Sequence, residues 1–153
     1  MLDRMTSEQW AYFNAASALV RTANLAGHRV DGLLREYGLT FARYEVLLLL
    51  SWSRRGKAGL TRIGDQMLVH QASITGVVDL LEADGLVRRI RHESDRRVTL
   101  AQITNRGRTV TAAATQTIAD GLQLGITDTA ADQVFDLVQK LRGAARDIPG
   151  STP

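Results

Sequence analysis

Between His70 and Arg108 the chain sets small polar side chains beside a concentration of arginine. Ile74, Val77, Val78 and Leu81 recur at helical spacing, and Ser73, Thr75, Gly76 and Asp79 fall between them. The polar four therefore occupy the outward face of a helix whose other side is buried. From Gly85 to Arg108 there are seven Arg (88, 89, 91, 96, 97, 106 and 108) against Glu93 and Asp95. That stretch carries +5 in a chain whose total is +3, so the positive potential is concentrated there. A focused cationic patch suits a phosphate backbone, and the neighbouring polar helix face strengthens a reading of nucleic-acid binding. The competing explanation is that the arginines solvate an exposed hairpin.

These residues need a scaffold. Gly85 is a natural stop for the polar helix, after which LVRRIR and RRVTL, joined by HESD, read as two strands and a turn, a wing. Upstream, LTRIGDQMLV forms a short helix with Thr61 as cap and Ile63, Met67 and Leu68 inward. A tight turn over 69–71 joins the two helices, so the pair and the wing make a winged helix-turn-helix. Before it, Thr40 caps FARYEVLLLLSW, with Tyr44, Leu47, Leu48 and Leu50 as core, and SRRGKAG is a loop.

The flanks are helical. Thr6 and Gln9 form a capping box, and Trp10, Phe13, Ala16, Val20, Ala23, Gly27, Val30, Leu34 and Tyr37 step along a Pro-free segment from 7 to 37. At 1.5 Å per residue such a helix runs on the order of 45 Å and overhangs so small a core. Its apolar end then needs a partner, most simply a second copy of the chain. After the wing, Thr104 caps NRGRTVTAAATQTIADGLQL, with Val110, Ala113, Thr117, Ile118, Leu122 and Leu124 on one face. Thr127 caps a last helix to about Arg146, with Ala131, Val134, Leu137, Val138, Leu141 and Ala145 on one side. Both are expected to join the first helix in a dimer bundle, leaving 148–153 as a frayed tail.

Composition narrows the chemistry. At 153 residues and 44% hydrophobic content the chain has material for one domain with a genuine core. It has no Cys, and His28, His70 and His92 do not fall within a helical turn of one another, so neither a metal site nor a cofactor is expected. Paired carboxylates in a cleft, a Ser/His/Asp order and a Gly-rich loop after a strand are all missing, which argues against an enzyme. LLLL at 47–50 is too short to span a bilayer and MLDRMTSEQW lacks an apolar signal core, so a cytoplasmic protein is expected, with no membrane partner.

The segment LTRIGDQMLVHQASITGVVDLLEADGLVRRIRHESDRRVTLAQITNRGR resembles the MarR family of bacterial transcriptional regulators, most specifically at 84–89 and 95–108. The helix order extends the resemblance over nearly the whole chain. It implies a mainly α fold with a small β-hairpin wing: a winged helix-turn-helix over 40–104, with dimerisation helices at 7–37 and 105–147, in a single domain over 1–153. It implies double-stranded DNA as partner, contacted by Thr61, Gln71, Ala72, Ser73, Thr75 and Gly76 around the recognition helix and by Arg88, Arg96 and Arg97 at the wing. Asp95 would orient a wing Arg. Wing guanidinium groups favour narrow A·T-rich minor grooves.

The resemblance also implies a homodimer, with Trp10, Phe13, Leu137, Val138 and Leu141 at its interface, that represses from a pseudo-palindromic operator. A small lipophilic or phenolic effector would release it, with Trp10, Tyr12, Phe13, His28 and Tyr44 as candidate lining. Aromatics at helical spacing are more often core or interface than ligand box. Two positions depart from the pattern: many relatives carry Arg where this chain has Gly76 and Leu80. Guanine readout by Arg from mid-helix is thereby lost, leaving Gln71 for an adenine edge and small residues for thymine methyls or phosphates. The same two positions support an alternative, a winged-helix protein-interaction module without sequence-specific DNA binding.

Overall fold

The computed structural model describes residues 5–92 and 98–146. Its elements follow the order α1 (Ser7–Leu34), α2 (Phe41–Trp52), β1 (Lys57–Gly59), α3 (Leu60–Met67), α4 (Gln71–Ala83), β2 (Val87–Arg91), β3 (Thr99–Ile103), α5 (Asn105–Gly121) and α6 (Asp128–Arg146).

The capping box forms as expected: Thr6 Oγ1 accepts the Gln9 N–H at 3.2 Å and the Thr6 N–H donates to Gln9 Oε1 at 2.8 Å. Of α1, only the last turns enter the core, through Val30 and Leu34. The helix tightens into a 3₁₀ turn over Arg35–Tyr37 and stops at Gly38, whose φ of 65° is the left-handed conformation glycine adopts without strain. Thr40 then caps α2, which buries Tyr44, Val46, Leu47 and Leu50.

The core gathers α2, α3, α4, the sheet and the first half of α5 around Leu47, Leu50, Ile63, Ile74, Val78 and Leu81. Each such side chain, fully withdrawn from water, contributes about 1.5–3 kcal/mol. α5 packs on α2 and α1 of its own chain, burying Gly107, Thr111 and Ala114. Gly107 sits where a Cβ would lie 2.1 Å from the Leu86 carbonyl oxygen, so this helix approaches the sheet more closely than any side chain permits. Two hydroxyl contacts pin the same face: Tyr37 with Thr117 at 2.6 Å and Tyr44 with Thr115 at 3.0 Å.

Three local expectations are corrected. SRRGKAG is not wholly loop: Lys57–Gly59 pairs antiparallel with β3, Lys57 opposite Gln102 and Gly59 opposite Leu100, giving a sheet of order β1-β3-β2. Three residues are too few to show period-two alternation, and pairing to the otherwise open edge of β3 forms the strand. Thr61 is not the cap of α3, because Gly59 takes that position and Thr61 is the second residue of the helix. Leu68 does not point inward. It closes α3 in the left-handed conformation (φ 56°) and is 41% exposed.

Candidate nucleic-acid interface

The outer face of α4 is as expected: Gln71, Ala72, Ser73, Thr75 and Gly76 are exposed, while Ile74, Val78 and Leu81 anchor the helix from beneath. A Cβ added at Gly76 would meet nothing within 4 Å, so the face is open at the position where a longer side chain would project. Thr61 belongs to this surface by contact, since its hydroxyl donates to Gln71 Oε1 at 3.2 Å. Thr75 donates its hydroxyl to the Gln71 carbonyl oxygen at 3.1 Å.

Arg89, one of the seven arginines between Gly85 and Arg108, is the joint between wing and helix. Its backbone N–H donates to Glu82 Oε1 and its Nη1 to Glu82 Oε2, both at 2.7 Å. Its Nη2 pairs with Asp79 Oδ1 at 2.7 Å and donates to the Thr75 carbonyl at 3.2 Å. The backbone N–H and then the guanidinium of Arg89 hold the Glu82 carboxyl below the usual carboxylate range. Two acids one turn apart on the outer side of α4, followed by an Arg-bearing strand, were the available signal.

Cations from this stretch are thus not all available to a ligand. Arg89 faces two carboxylates, Arg106 donates to the Asp84 carbonyl oxygen at 3.0 Å, and Arg108 lies against Gly56 at the base of the sheet. Arg88 stays exposed on β2, with its Nε donating to Gln102 Oε1 at 2.9 Å, and Arg91 is exposed further along the strand. Asp95, Arg96 and Arg97 lie outside the described residues. Among the described residues, no three His, Cys, Asp or Glu side chains cluster to hold a metal, and no helix is long and apolar enough to cross a membrane.

The five aromatic and His candidates for an effector do not converge within one subunit. Trp10 and Phe13 stack edge to face, ring centroids 5.8 Å apart, near the exposed start of α1, and Tyr12 is exposed beside them. His28 is exposed further along the same helix, roughly 27 Å from Trp10 at 1.5 Å per residue. Tyr44 is buried in the core. On α1, Phe13, Ala16, Ser17, Val20 and Arg21 line a shallow apolar hollow, and on α6 Leu137 and Leu141 are exposed with Val138 half-buried.

A short helix pair, an open polar face on the second helix and an arginine-bearing hairpin locked to it define a winged helix-turn-helix protein. A model of the MarR family matches residues 39–99. HTH-type transcriptional regulator MhqR of Bacillus subtilis (strain 168) is 37% identical over 103 residues, 67% of this chain and 68% of that protein. The crystal structure of Sco5413, a MarR family transcriptional regulator from Streptomyces coelicolor, superposes with a TM-score of 0.81 at 34% identity, covering 90% of this chain and 97% of that one. CouR from Rhodococcus jostii RHA1, bound to p-coumaroyl-CoA, matches with a TM-score of 0.71 at 30% identity, over 81% of this chain and 88% of CouR. The chain belongs to the MarR family of transcriptional regulators.

Proposed function

We propose that the protein is a homodimeric repressor that reads a pseudo-palindromic operator, with α4 in the major groove and the wing against the adjacent minor groove. The observation that carries this is the division of α4. Its apolar side is sealed in the core while Gln71, Ala72, Ser73, Thr75 and Gly76 stand open, with Thr61 bonded to its first residue. A helix so mounted offers base-reading groups without structural duties.

Two recognition helices must meet successive major grooves about 34 Å apart. The unburied apolar faces of α1 and α6 support pairing of two copies. An effector that changes the geometry of that bundle changes both half-sites together. CouR, bound to p-coumaroyl-CoA, supports a phenolic effector class. Such a ligand would reach a site completed by the second copy, since the candidate aromatics are dispersed in one.

Selection of bound sites from random duplex DNA, with and without phenolic compounds and their thioesters, tests this. A two-fold related site whose recovery falls with an effector is expected. Steep salt dependence without any preferred site would overturn the operator reading and favour the interaction module that Gly76 and Leu80 suggest.

A further inference from the structure

Gln71 is gripped twice. Thr61, from the first turn of α3, donates its hydroxyl proton to the side-chain Oε1, and Thr75, one turn along α4, donates its own to the backbone carbonyl. In the first contact the amide turns Oε1, rather than Nε2, to Thr61. With Oε1 turned to Thr61, one lone pair is occupied and the second remains, while among the described residues neither Nε2 hydrogen is spent. The second contact settles what Thr75 can offer. Its proton is committed within the helix, so it presents a methyl group and acceptor lone pairs, and no donor for a phosphate.

From this we infer that Thr61 is a specificity-determining positioning residue. It fixes the Gln71 amide to read adenine, with Nε2 donating to N7 and Oε1 accepting from N6, while Thr75 reads a neighbouring thymine through its methyl group. Guanine presents acceptors at both N7 and O6, so an amide held with its oxygen toward the second position meets an unpaired acceptor there. A freely rotating glutamine would instead turn its Nε2 to either purine. Thr61 touches no base in this scheme and acts through Gln71. The inference rests on the operator reading above and adds to it which base is read and what holds the reader.

The test compares full-length variants on the operator the wild-type protein selects and on the same duplex with the read adenine changed to guanine. A bidentate amide contact discriminates by roughly 5-fold to 150-fold. Thr61→Val, which keeps the shape and removes the donor, is expected to lower that ratio at least about 5-fold with the salt slope unchanged. Thr61→Ser restores it, and in a Gln71→Ala background Thr61→Val changes nothing further. Thr75→Ser, which keeps the hydroxyl and removes the methyl group, is expected to lose preference for thymine. Three results would overturn the inference alone: an adenine-to-guanine ratio in Thr61→Val equal to wild type, an affinity loss equal on both duplexes, or a salt slope that falls with it. A wild-type protein that selects no site overturns the operator reading and this inference with it.

Discussion

Arg89 does more than add charge to the wing. By ligating Glu82 and Asp79 it masks two carboxylates on the flank of α4 that would otherwise repel a phosphate backbone, and it ties β2 to that helix. Arg89→Ala is expected to lower DNA affinity by more than the loss of one cation, at least about tenfold, because two bare carboxylates remain beside the duplex. Arg89→Lys does not rescue it, since an ammonium cannot fork between two acids and a carbonyl. Anisotropy titrations of both variants across a salt series check this. Glu82 also leaves a pH signature. Its folded carboxyl is held below the ordinary value, so its contribution is present above that value and is lost as pH falls through the depressed one. Melting temperatures of Glu82→Gln and wild type therefore differ most near neutrality and converge in acid. Gly76 offers the opposite experiment. Arg fits its open surroundings, so Gly76→Arg is expected to gain about 0.5–1 kcal/mol of stability from helix propensity and to steepen the salt slope by about one unit.

At the scale of elements, α6 reaches back to the reading head. Arg142 donates to the Gln66 carbonyl oxygen at 3.3 Å, at the end of α3. Burial pushes the Glu45 carboxyl on α2 up, and the charge of Arg142 offsets only part of that shift. The folded value therefore exceeds the unfolded one. The native state gains from the retained proton below the ordinary carboxylate range and loses that gain as pH rises through the raised value. Glu45→Gln is accordingly expected to raise the melting temperature at pH 7 by a few degrees, with the gap closing near pH 4. An equal gap at both values would contradict this account.

Elements with strong punctuation were legible in the sequence. Thr6, Gly38, Thr40, Gly85 and Thr104 mark helix ends by mechanisms that act within a few residues, and the sealed side of α4 follows from its spacing. Features decided by distant partners were not. β1 exists because β3 has an edge to pair with, and Thr61 leaves the cap position because the helix, capped by Gly59, begins two residues earlier. The wing's charge could be counted but not apportioned, because acids from α4 neutralise Arg89, the end of α4 holds Arg106 and the base of the sheet holds Arg108.

The whole chain leaves apolar surface uncovered at both flanks: Phe13, Val20 and Leu25 on α1, and Val134, Phe135, Leu137 and Leu141 on α6. A lasting interface between copies buries on the order of 1,000 Å² or more, and in the proposed dimer these two helices supply the apolar part of it. Joint substitution of Leu137 and Leu141 by Asp is expected to yield a folded monomer by sedimentation equilibrium. Operator affinity should fall at least about 100-fold, because one reading head alone forgoes the second half-site. The central claim is that two copies place paired α4 helices and wings on one face of a duplex. Hydroxyl-radical footprinting of the selected operator tests it most directly. The account predicts two equivalent protected patches centred about 10–10.5 base pairs apart or a multiple of that, both lost together in the Leu137/Leu141 variant. A single protected patch, or protection spread evenly along the duplex, would contradict it.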